Sequence, residues 1–243
     1  MIDQSNPYAA NFDSPAIMAG ESERAGFIRR TYLHLAGAVL ALVGLEALLF
    51  SVVPAETMDS LVRTMTGGYG WLIVLGAFMG VSWLARSWAN SNASPAMQYA
   101  GLALYVVAQG VILLPLLYIA MRLVGPSVPI SAAAITSIVF MLLTAYVMFT
   151  GADLAGWGKY LAIAGIAAMA IIVAGILFGF DLGLFFSGAM VALACGYILY
   201  DTSNVLHHYR TDQHVAASLA LFASVVLLFW YILRIMMAFS SRD

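Results

Sequence analysis

Charged residues are scarce in this sequence, and cysteine is nearly absent. Only 9% of the 243 residues are charged, whereas 63% are hydrophobic. A soluble domain carries about 25% charged residues, so this chain has too few of them to cover a water-facing surface. The composition therefore excludes a soluble globular protein and predicts a protein that crosses the lipid bilayer several times. The single cysteine, Cys195, excludes an internal disulfide bond.

Motifs of several functional classes are absent as well. The chain has no basic stripe of the kind that binds nucleic acid, and its formal net charge is −2. It lacks the His-Glu-x-x-His motif of zinc peptidases and the Gly-x-Ser-Gly motif of intramembrane serine proteases. Tyr200-Asp201 matches half of the intramembrane aspartyl protease pattern, but the second half, Gly-x-Gly-Asp, is missing. We therefore predict that the protein is not an enzyme and has no nucleic-acid partner.

What the sequence does contain is a series of long apolar runs. A membrane-spanning helix needs about 20 mostly apolar residues. Seven segments meet this requirement, at 31–53, 70–88, 97–123, 130–150, 158–180, 182–206 and 215–239. We predict an all-α, polytopic membrane protein with a polar N-terminal tail at residues 1–26. A seven-helix transmembrane domain, whose partner is the lipid bilayer, then occupies residues 27–243.

The distribution of basic residues predicts how the chain is oriented, because cytoplasmic loops carry an excess of lysine and arginine. With the N-terminus in the cytoplasm, the inner side holds Arg24, Arg29, Arg30, Arg86, Lys159 and Arg210. The outer side then holds Arg63, Arg122 and Arg242. The excess favours a cytoplasmic N-terminus, and seven crossings would place the C-terminus on the other side.

Asp201, near the end of the sixth segment, is the first candidate functional residue. A carboxylate at membrane depth is costly and usually marks a functional site. On a helix, Tyr197, Asp201, Asn204 and His208 lie on one face, at i, i+4, i+7 and i+11. We therefore expect Asp201 to face the interior of the bundle. The alternative is that Asp201 only ends the helix at the membrane interface, beside the basic loop 207–210.

Four further polar residues lie within or near the spans, namely Glu46, Arg86, Gln109 and Arg234. Ionised side chains at membrane depth usually pair with one another or face water. We therefore expect Asp201 to pair with Arg86 or Arg234, although the sequence does not decide between them. Glu46 is either a second proton-binding group or a structural partner of an arginine.

Several motifs resemble those of one membrane-protein family. Residues 196–202, Gly-Tyr-Ile-Leu-Tyr-Asp-Thr, are similar to the Gly-Tyr-x-Leu-Tyr-Asp-Thr signature of the Bax inhibitor-1 family. Four shorter matches accompany it: Trp-Leu-Ala-Arg at 83–86, Gly-x-x-x-x-Pro at 110–115, Thr-Gly-Ala-Asp-Leu at 150–154 and Tyr-Ile-Leu-Arg at 231–234. Their order and spacing together extend the resemblance over most of the chain from about residue 27 onward.

The resemblance implies a fold, a function and a set of site residues. The family fold is a bundle of seven helices with the last helix at its centre. Family members are linked to a pH-dependent calcium leak, in which two aspartates on the sixth and seventh helices sense protons and an arginine on the second helix latches onto them. Asp201 matches the first aspartate and Arg86 the arginine. The resemblance also implies a bacterial cytoplasmic (inner) membrane, calcium or other cations as partners, and a weak calcium site at Asp201.

The chain departs from the family pattern at the second aspartate, where it has Ser224. Calcium requires six to eight oxygen ligands, and a serine offers one neutral oxygen in place of a carboxylate, so strong calcium binding is not expected. Some bacterial relatives that lack this acid are associated with the FtsH membrane protease. A non-conducting regulator of such a protease, or of another membrane partner, is therefore the alternative function.

Overall fold

The computed structural model describes residues 15–91 and 94–240. Its eight α-helices are α1 (Glu21–Val52), α2 (Ala55–Thr66), α3 (Gly70–Ala89), α4 (Pro95–Leu123), α5 (Ser127–Thr150), α6 (Gly158–Phe178), α7 (Gly183–His207) and α8 (His214–Ser240). Two short 3-10 turns lie at Ala16–Met18 and Ala155–Trp157. All helices except α2 are long and apolar enough to cross a membrane. The predicted all-α, polytopic fold is therefore confirmed.

The first helix begins ten residues before the first predicted span, at Glu21 instead of residue 31. Its first turns are polar and therefore do not belong to an apolar run. Glu21 and Glu23 nevertheless favour a helix start here, because they complement the positive end of the helix dipole. Phe27 is fully buried, so these early turns pack against the rest of the protein. Residues 1–14 of the predicted tail, and Arg242, lie outside the described residues.

Helix α2 was not expected from the sequence, because its 12 residues are too short to span a membrane. Its polar and apolar residues alternate with helical spacing, and Met58 and Val62 form a small buried cluster with Leu114 and Tyr118 of α4. The hydroxyl of Tyr118 also donates a hydrogen bond of 2.7 Å to Asp59. Helix α2 is thus an amphipathic connection that covers one end of α4.

Helix α8 lies at the centre of the bundle, as expected. It packs against α1, α3, α4, α5 and α7. In its most apolar stretch, 67% of the residues are buried, compared with 50% in α4 and 11% in α3. A hydrophobic side chain on an outer helix can face lipid, but one on α8 meets protein on nearly all sides. Polar residues on α8 therefore need partners within the bundle.

Helices α3 and α4 approach each other closely at Gly101. A Cβ atom at this position would lie 2.5 Å from the carbonyl oxygen of Ala85 and 2.6 Å from the backbone nitrogen of Ala89. Only glycine fits such a contact, and small residues at helix crossings let backbones approach each other in lipid. This crossing holds the last turn of α3, which carries Arg86, against α4.

Candidate functional site

The side chains of Asp201 on α7 and Ser224 on α8 meet inside the bundle. Asp201 is 8% exposed and Ser224 is 5% exposed. The Ser224 hydroxyl donates a hydrogen bond of 2.6 Å to Oδ2 of Asp201. This distance lies within the range of about 2.5–2.7 Å that is typical of hydroxyl groups bonded to ionised carboxylates. The bond joins α7 directly to the central helix.

The other polar residues on the same face of α7 have different neighbours. The Tyr197 hydroxyl donates a hydrogen bond of 2.9 Å to the carbonyl oxygen of Leu161 in α6. His208, just beyond the end of α7, lies 3.1 Å from Oδ1 of Asp153 in the loop that precedes α6. Of these three side chains, Asp201 is the one whose hydrogen bond reaches α8.

Arg86 lies near Asp201 without forming an ion pair with it in the part of the chain that the structure describes. It is close enough to attract the Asp201 carboxylate electrostatically. Its guanidinium stands over the ring of Tyr105, 5.4 Å from the ring centroid, and one of its nitrogens is 3.4 Å from the Tyr105 hydroxyl. The direct pairing of Asp201 with an arginine, expected from the sequence, is thus replaced by the bond from Ser224.

Tyr105 of α4 links Arg86 to the central helix, and sequence reasoning did not identify it. The side chain is 3% exposed, and its hydroxyl accepts a hydrogen bond of 3.2 Å from Gln109. Its ring packs edge-on against Phe222, two residues before Ser224, with 6.1 Å between centroids. The one signal in the sequence was the i, i+4 spacing of Tyr105 and Gln109, which places both on one face of α4.

Arg234 lies away from this site. It follows Ser224 by ten residues on α8, which corresponds to about 15 Å along the helix axis. It lines a groove of about 330 Å³ between α4 and α8 whose other walls are apolar: Leu116, Leu123, Val124, Met237 and Ala238. The predicted pairing of Asp201 with Arg234 is therefore wrong, because the two side chains occupy different depths of the bundle.

Glu46 of α1 is a second buried acid. It is 6% exposed, and within the described residues neither of its carboxyl oxygens has a hydrogen-bond partner. Its Oε1 faces Gly110 of α4, at 3.7 Å from the position that a Cβ atom would take there. It forms no ion pair with an arginine in the described part of the chain. Because an unpaired charge is costly to bury, the neutral carboxylic acid is the form suited to this position.

A common reference level relates the depth of Glu46 to that of Asp201. The rings of His34 on α1 and His214 on α8 lie 5.0 Å apart, so the two residues share one level in the bundle. Glu46 follows His34 by 12 residues, or about 18 Å along the helix. Ser224 follows His214 by ten residues, or about 15 Å. The two buried acids therefore lie at similar depth, one against α4 and the other against α8.

The loop between α7 and α8 closes the bundle beside Asp201. The carbonyl oxygen of Tyr209 accepts a hydrogen bond of 2.8 Å from the backbone of Ala16, which is fully buried. Burial, followed by the nearby charge of Asp201, raises the pKa of the Tyr209 hydroxyl. In the same loop, Arg210 pairs with Asp212 at 2.8 Å and holds the pKa of that carboxyl below its ordinary value. The N-terminal segment is thus fastened over this end of α7.

The donor set around Asp201 suits a proton better than a calcium ion. Calcium requires six to eight oxygen ligands, whereas the carboxylate of Asp201 is accompanied by one serine hydroxyl. Among the described residues, no three His, Cys, Asp or Glu side chains come together. The arrangement can bind and release a proton, and in doing so it changes the strength of the contact between α7 and α8.

The fold and this site define the class of the protein: a seven-span helical membrane protein with a buried carboxylate between its last two helices. Residues 24–241 match the family described as "Inhibitor of apoptosis-promoting Bax1". The chain therefore belongs to the Bax inhibitor-1 family, as its motifs indicated.

Relatives occur in bacteria and in eukaryotes. An uncharacterised protein of Helicobacter pylori strain J99 is 30% identical over 228 residues, which cover 92% of this chain and 91% of that protein. Bax inhibitor 1 of Schizosaccharomyces pombe is 26% identical over 98% of this chain and 86% of its own length. Protein LIFEGUARD 4 of Arabidopsis thaliana is 25% identical over 92% of this chain and 89% of its own length. The similarity thus spans the whole helical bundle.

Proposed function

We propose that this protein is a pH-sensitive leak channel for calcium and other cations, gated by protonation of Asp201. The observation that carries the proposal is the buried hydrogen bond of 2.6 Å between Ser224 and Asp201. A carboxylate at membrane depth is a functional-site hypothesis by default. This one joins a peripheral helix to the central one, where a change of charge can alter helix packing.

The direction of gating follows from the contacts of the ionised carboxylate. When Asp201 is ionised, its charge strengthens the bond from Ser224 and is attracted by Arg86. Protonation removes the charge, so both interactions weaken and α7 is held less firmly against α8. The closed arrangement is therefore favoured when Asp201 is ionised, and cation flux rises as the pH falls.

Arg86 acts in this proposal as an electrostatic latch, not as a direct ion-pair partner. Its position is fixed by the Tyr105 ring beneath it and by the close crossing of α3 and α4 at Gly101. Tyr105 in turn packs on Phe222 of α8. A movement of α8 would therefore shift Tyr105 and, with it, Arg86. Glu46 is a second proton-binding group in the same bundle, separate from the α7–α8 contact.

We further propose that the protein resides in a bacterial cytoplasmic membrane with its N-terminus in the cytoplasm. Bacterial relatives such as the Helicobacter pylori protein support the first part. The excess of lysine and arginine on the N-terminal side supports the second part. In this orientation the α7–α8 loop and Asp153 lie on the cytoplasmic side.

A non-conducting regulator of a membrane protease of the FtsH type is the second candidate. The observation that favours it is Ser224, since the site offers calcium one carboxylate and one hydroxyl. A protein that acts by contacting a partner has no need of a cation path. In that case the bond between Asp201 and Ser224 would serve only to hold α7 on α8.

Calcium flux into liposomes separates the two functions. Purified protein is reconstituted in liposomes that contain a calcium-sensitive dye, and flux is measured from about pH 5 to pH 8, the range in which a perturbed carboxyl titrates. We expect wild-type flux to increase toward acid pH. Asp201→Asn, which imitates the protonated side chain, should give high flux that is nearly independent of pH.

The matched control is Asp153→Asn, an identical change at an acid in an exposed loop, which should keep the wild-type pH response. An Asp201→Asn protein with the wild-type response would eliminate Asp201 as the sensor, and Glu46→Gln would be measured next. Absence of flux from the wild-type protein at every pH would eliminate the channel and leave the regulator.

A further inference from the structure

Three ring side chains from three helices meet at the end of the bundle where α8 begins. They are His34 of α1, Tyr99 of α4 and His214 of α8. The centroids of the His34 and His214 rings are 5.0 Å apart, and the Tyr99 ring lies 5.4 Å from that of His34 and 6.4 Å from that of His214. This cluster is separate from Asp201 and plays no part in the proposed gating.

Both imidazole rings direct the same nitrogen toward the same oxygen. Nε2 of His34 is 3.1 Å from the Tyr99 hydroxyl oxygen, and Nε2 of His214 is 3.4 Å from it. His34 and His214 are partly exposed and Tyr99 is exposed, so the cluster lies at the surface of the bundle. The cluster thus brings two imidazole nitrogens close to one hydroxyl oxygen.

These separations match one face of a tetrahedral metal site. With metal–ligand bonds of about 2.0–2.1 Å, neighbouring ligand atoms around tetrahedral zinc are about 3.3 Å apart. The two measured N···O separations, 3.1 and 3.4 Å, are close to this value. Two imidazoles bound at a tetrahedral angle would have centroids about 5.2 Å apart, and the observed separation is 5.0 Å. The three side chains are therefore close enough to share a metal ion, once the two nitrogens turn from the Tyr99 hydroxyl toward the ion.

The second nitrogen of His34 has the environment that metal-binding histidines usually have. Its Nδ1 lies 2.7 Å from the carbonyl oxygen of Arg30. A ligating histidine commonly donates its other ring N–H to a backbone carbonyl, which fixes the tautomer and leaves the lone pair of Nε2 free for the metal. In His214, Nδ1 is buried without a hydrogen-bond partner among the described residues, and Nε2 is the ring nitrogen that points toward the Tyr99 hydroxyl.

We propose that His34, Tyr99 and His214 form a binding site for a divalent transition-metal ion with the size and geometry of Zn²⁺. The two imidazole nitrogens are the principal ligands, the Tyr99 oxygen is the third donor, and a water molecule completes the tetrahedron. Hard cations such as calcium are not the expected ligand, because imidazole suits zinc, copper and nickel, whereas calcium requires oxygen donors. A bound ion would tie α1, α4 and α8 together at this end of the bundle.

Metal titration of the purified protein, without a polyhistidine tag, tests the site. Co²⁺ is added first because its visible absorption distinguishes four-coordinate from six-coordinate binding, and Zn²⁺ is then used to displace it. We expect one equivalent of four-coordinate Co²⁺ and displacement by one equivalent of Zn²⁺. His34→Gln and His214→Gln should each weaken binding by at least about tenfold, as loss of a metal-orienting group commonly does.

The matched control is the double variant His207→Gln/His208→Gln, since this second histidine pair has rings 6.1 Å apart and lies at the end of α7. It should bind one equivalent with wild-type affinity. Zn²⁺ should also raise the thermal unfolding midpoint of the wild type and of this control, but not that of the His34 and His214 variants, because a ligand stabilises the state that binds it.

Two results would overturn the proposal. One is the absence of saturable Co²⁺ or Zn²⁺ binding by the folded wild-type protein at micromolar concentrations, in which case the cluster is only a chain of hydrogen bonds. The other is binding that survives in His34→Gln and His214→Gln but is lost in the His207→Gln/His208→Gln control. Glutamine is used because it keeps polar atoms at both positions. Size-exclusion elution at the wild-type volume checks that each variant is folded.

Discussion

Removing the two partners of the buried hydrogen bond, singly and together, tests how firmly α7 is held on α8. Ser224→Ala deletes the hydroxyl that donates a hydrogen bond of 2.6 Å to Asp201. The buried carboxylate is then left without that donor. A hydrogen bond to a charged group contributes about 1.5–3 kcal/mol to stability. We expect Ser224→Ala to lower the free energy of unfolding by an amount in this range at neutral pH if Asp201 is ionised there, as the proposed mechanism requires.

The double variant is expected to be much more stable than the sum of the single changes predicts. Asp201→Leu has a similar shape but cannot accept the hydrogen bond, so it leaves the Ser224 hydroxyl buried without its partner. Replacing both partners with apolar groups of similar shape can be nearly neutral. The coupling energy between the two positions should therefore be about 0.5–3 kcal/mol, typical of residues in direct contact.

Equilibrium unfolding in mixed detergent micelles measures the four proteins of this cycle. The control pair is Asp201→Leu with Ser218→Ala, because Ser218 is also buried on α8 but bonds its own helix, at the carbonyl oxygen of Val215. That pair should be additive within about 0.5 kcal/mol. Additivity of Asp201→Leu with Ser224→Ala would refute the reasoning, since it would mean that the bond contributes nothing to the contact between α7 and α8.

Three further expectations concern other parts of the bundle. Gly101→Val should lower the thermal unfolding midpoint, because its Cβ would collide with the α3 backbone; Gly76→Val, which has open space around it, is the control. Glu46→Gln should keep wild-type stability in the same melt at neutral pH, whereas Glu46→Lys should unfold the protein because it buries a charge without a partner. The Ala155 N–H and then His208 hold the pKa of Asp153 below its ordinary value. These contacts therefore stabilise the loop above about pH 4 and are lost as the pH falls through the lowered pKa. Hydrogen exchange at the Ala155 amide, corrected for intrinsic rate, should increase over this range in the wild type and show no such step in Asp153→Asn.

Much of the fold could be predicted from the sequence, because a bilayer imposes simple rules on composition. Seven apolar runs became seven long helices, since a polar backbone in lipid must satisfy its own hydrogen bonds. Helix α2 was missed because its 12 residues are too few to span a membrane. The first ten residues of α1 were missed for a related reason. They are polar and extend the helix beyond its apolar stretch, and only the apolar stretch indicates a membrane span.

The candidate site was only partly predictable. Helical spacing identified the face of Asp201, and the family motif identified Ser224 as the position opposite it. The partners of Arg86 and Arg234 could not be predicted, because pairing depends on depth along neighbouring helices and on which way each face turns. Tyr105 was overlooked because a tyrosine in an apolar run is usually part of the core, and only the structure reveals Arg86 on its ring.

The substitution of serine for the second acid changes how the bundle can respond to protons. Two adjacent carboxylates titrate as a coupled pair, so neither proton belongs to one residue alone. Here one carboxyl bonds Ser224 on α8, and the other, Glu46, lies at a similar depth against Gly110 of α4. Each acid therefore acts on a different helix contact. In the proposed mechanism a proton taken up by Asp201 loosens α7 from the central helix, whereas loss of a proton from Glu46 would place an unpaired charge between α1 and α4. The stability of this protein should accordingly depend on two separate protonation events, one at each helix contact, whereas its cation flux should follow Asp201 alone.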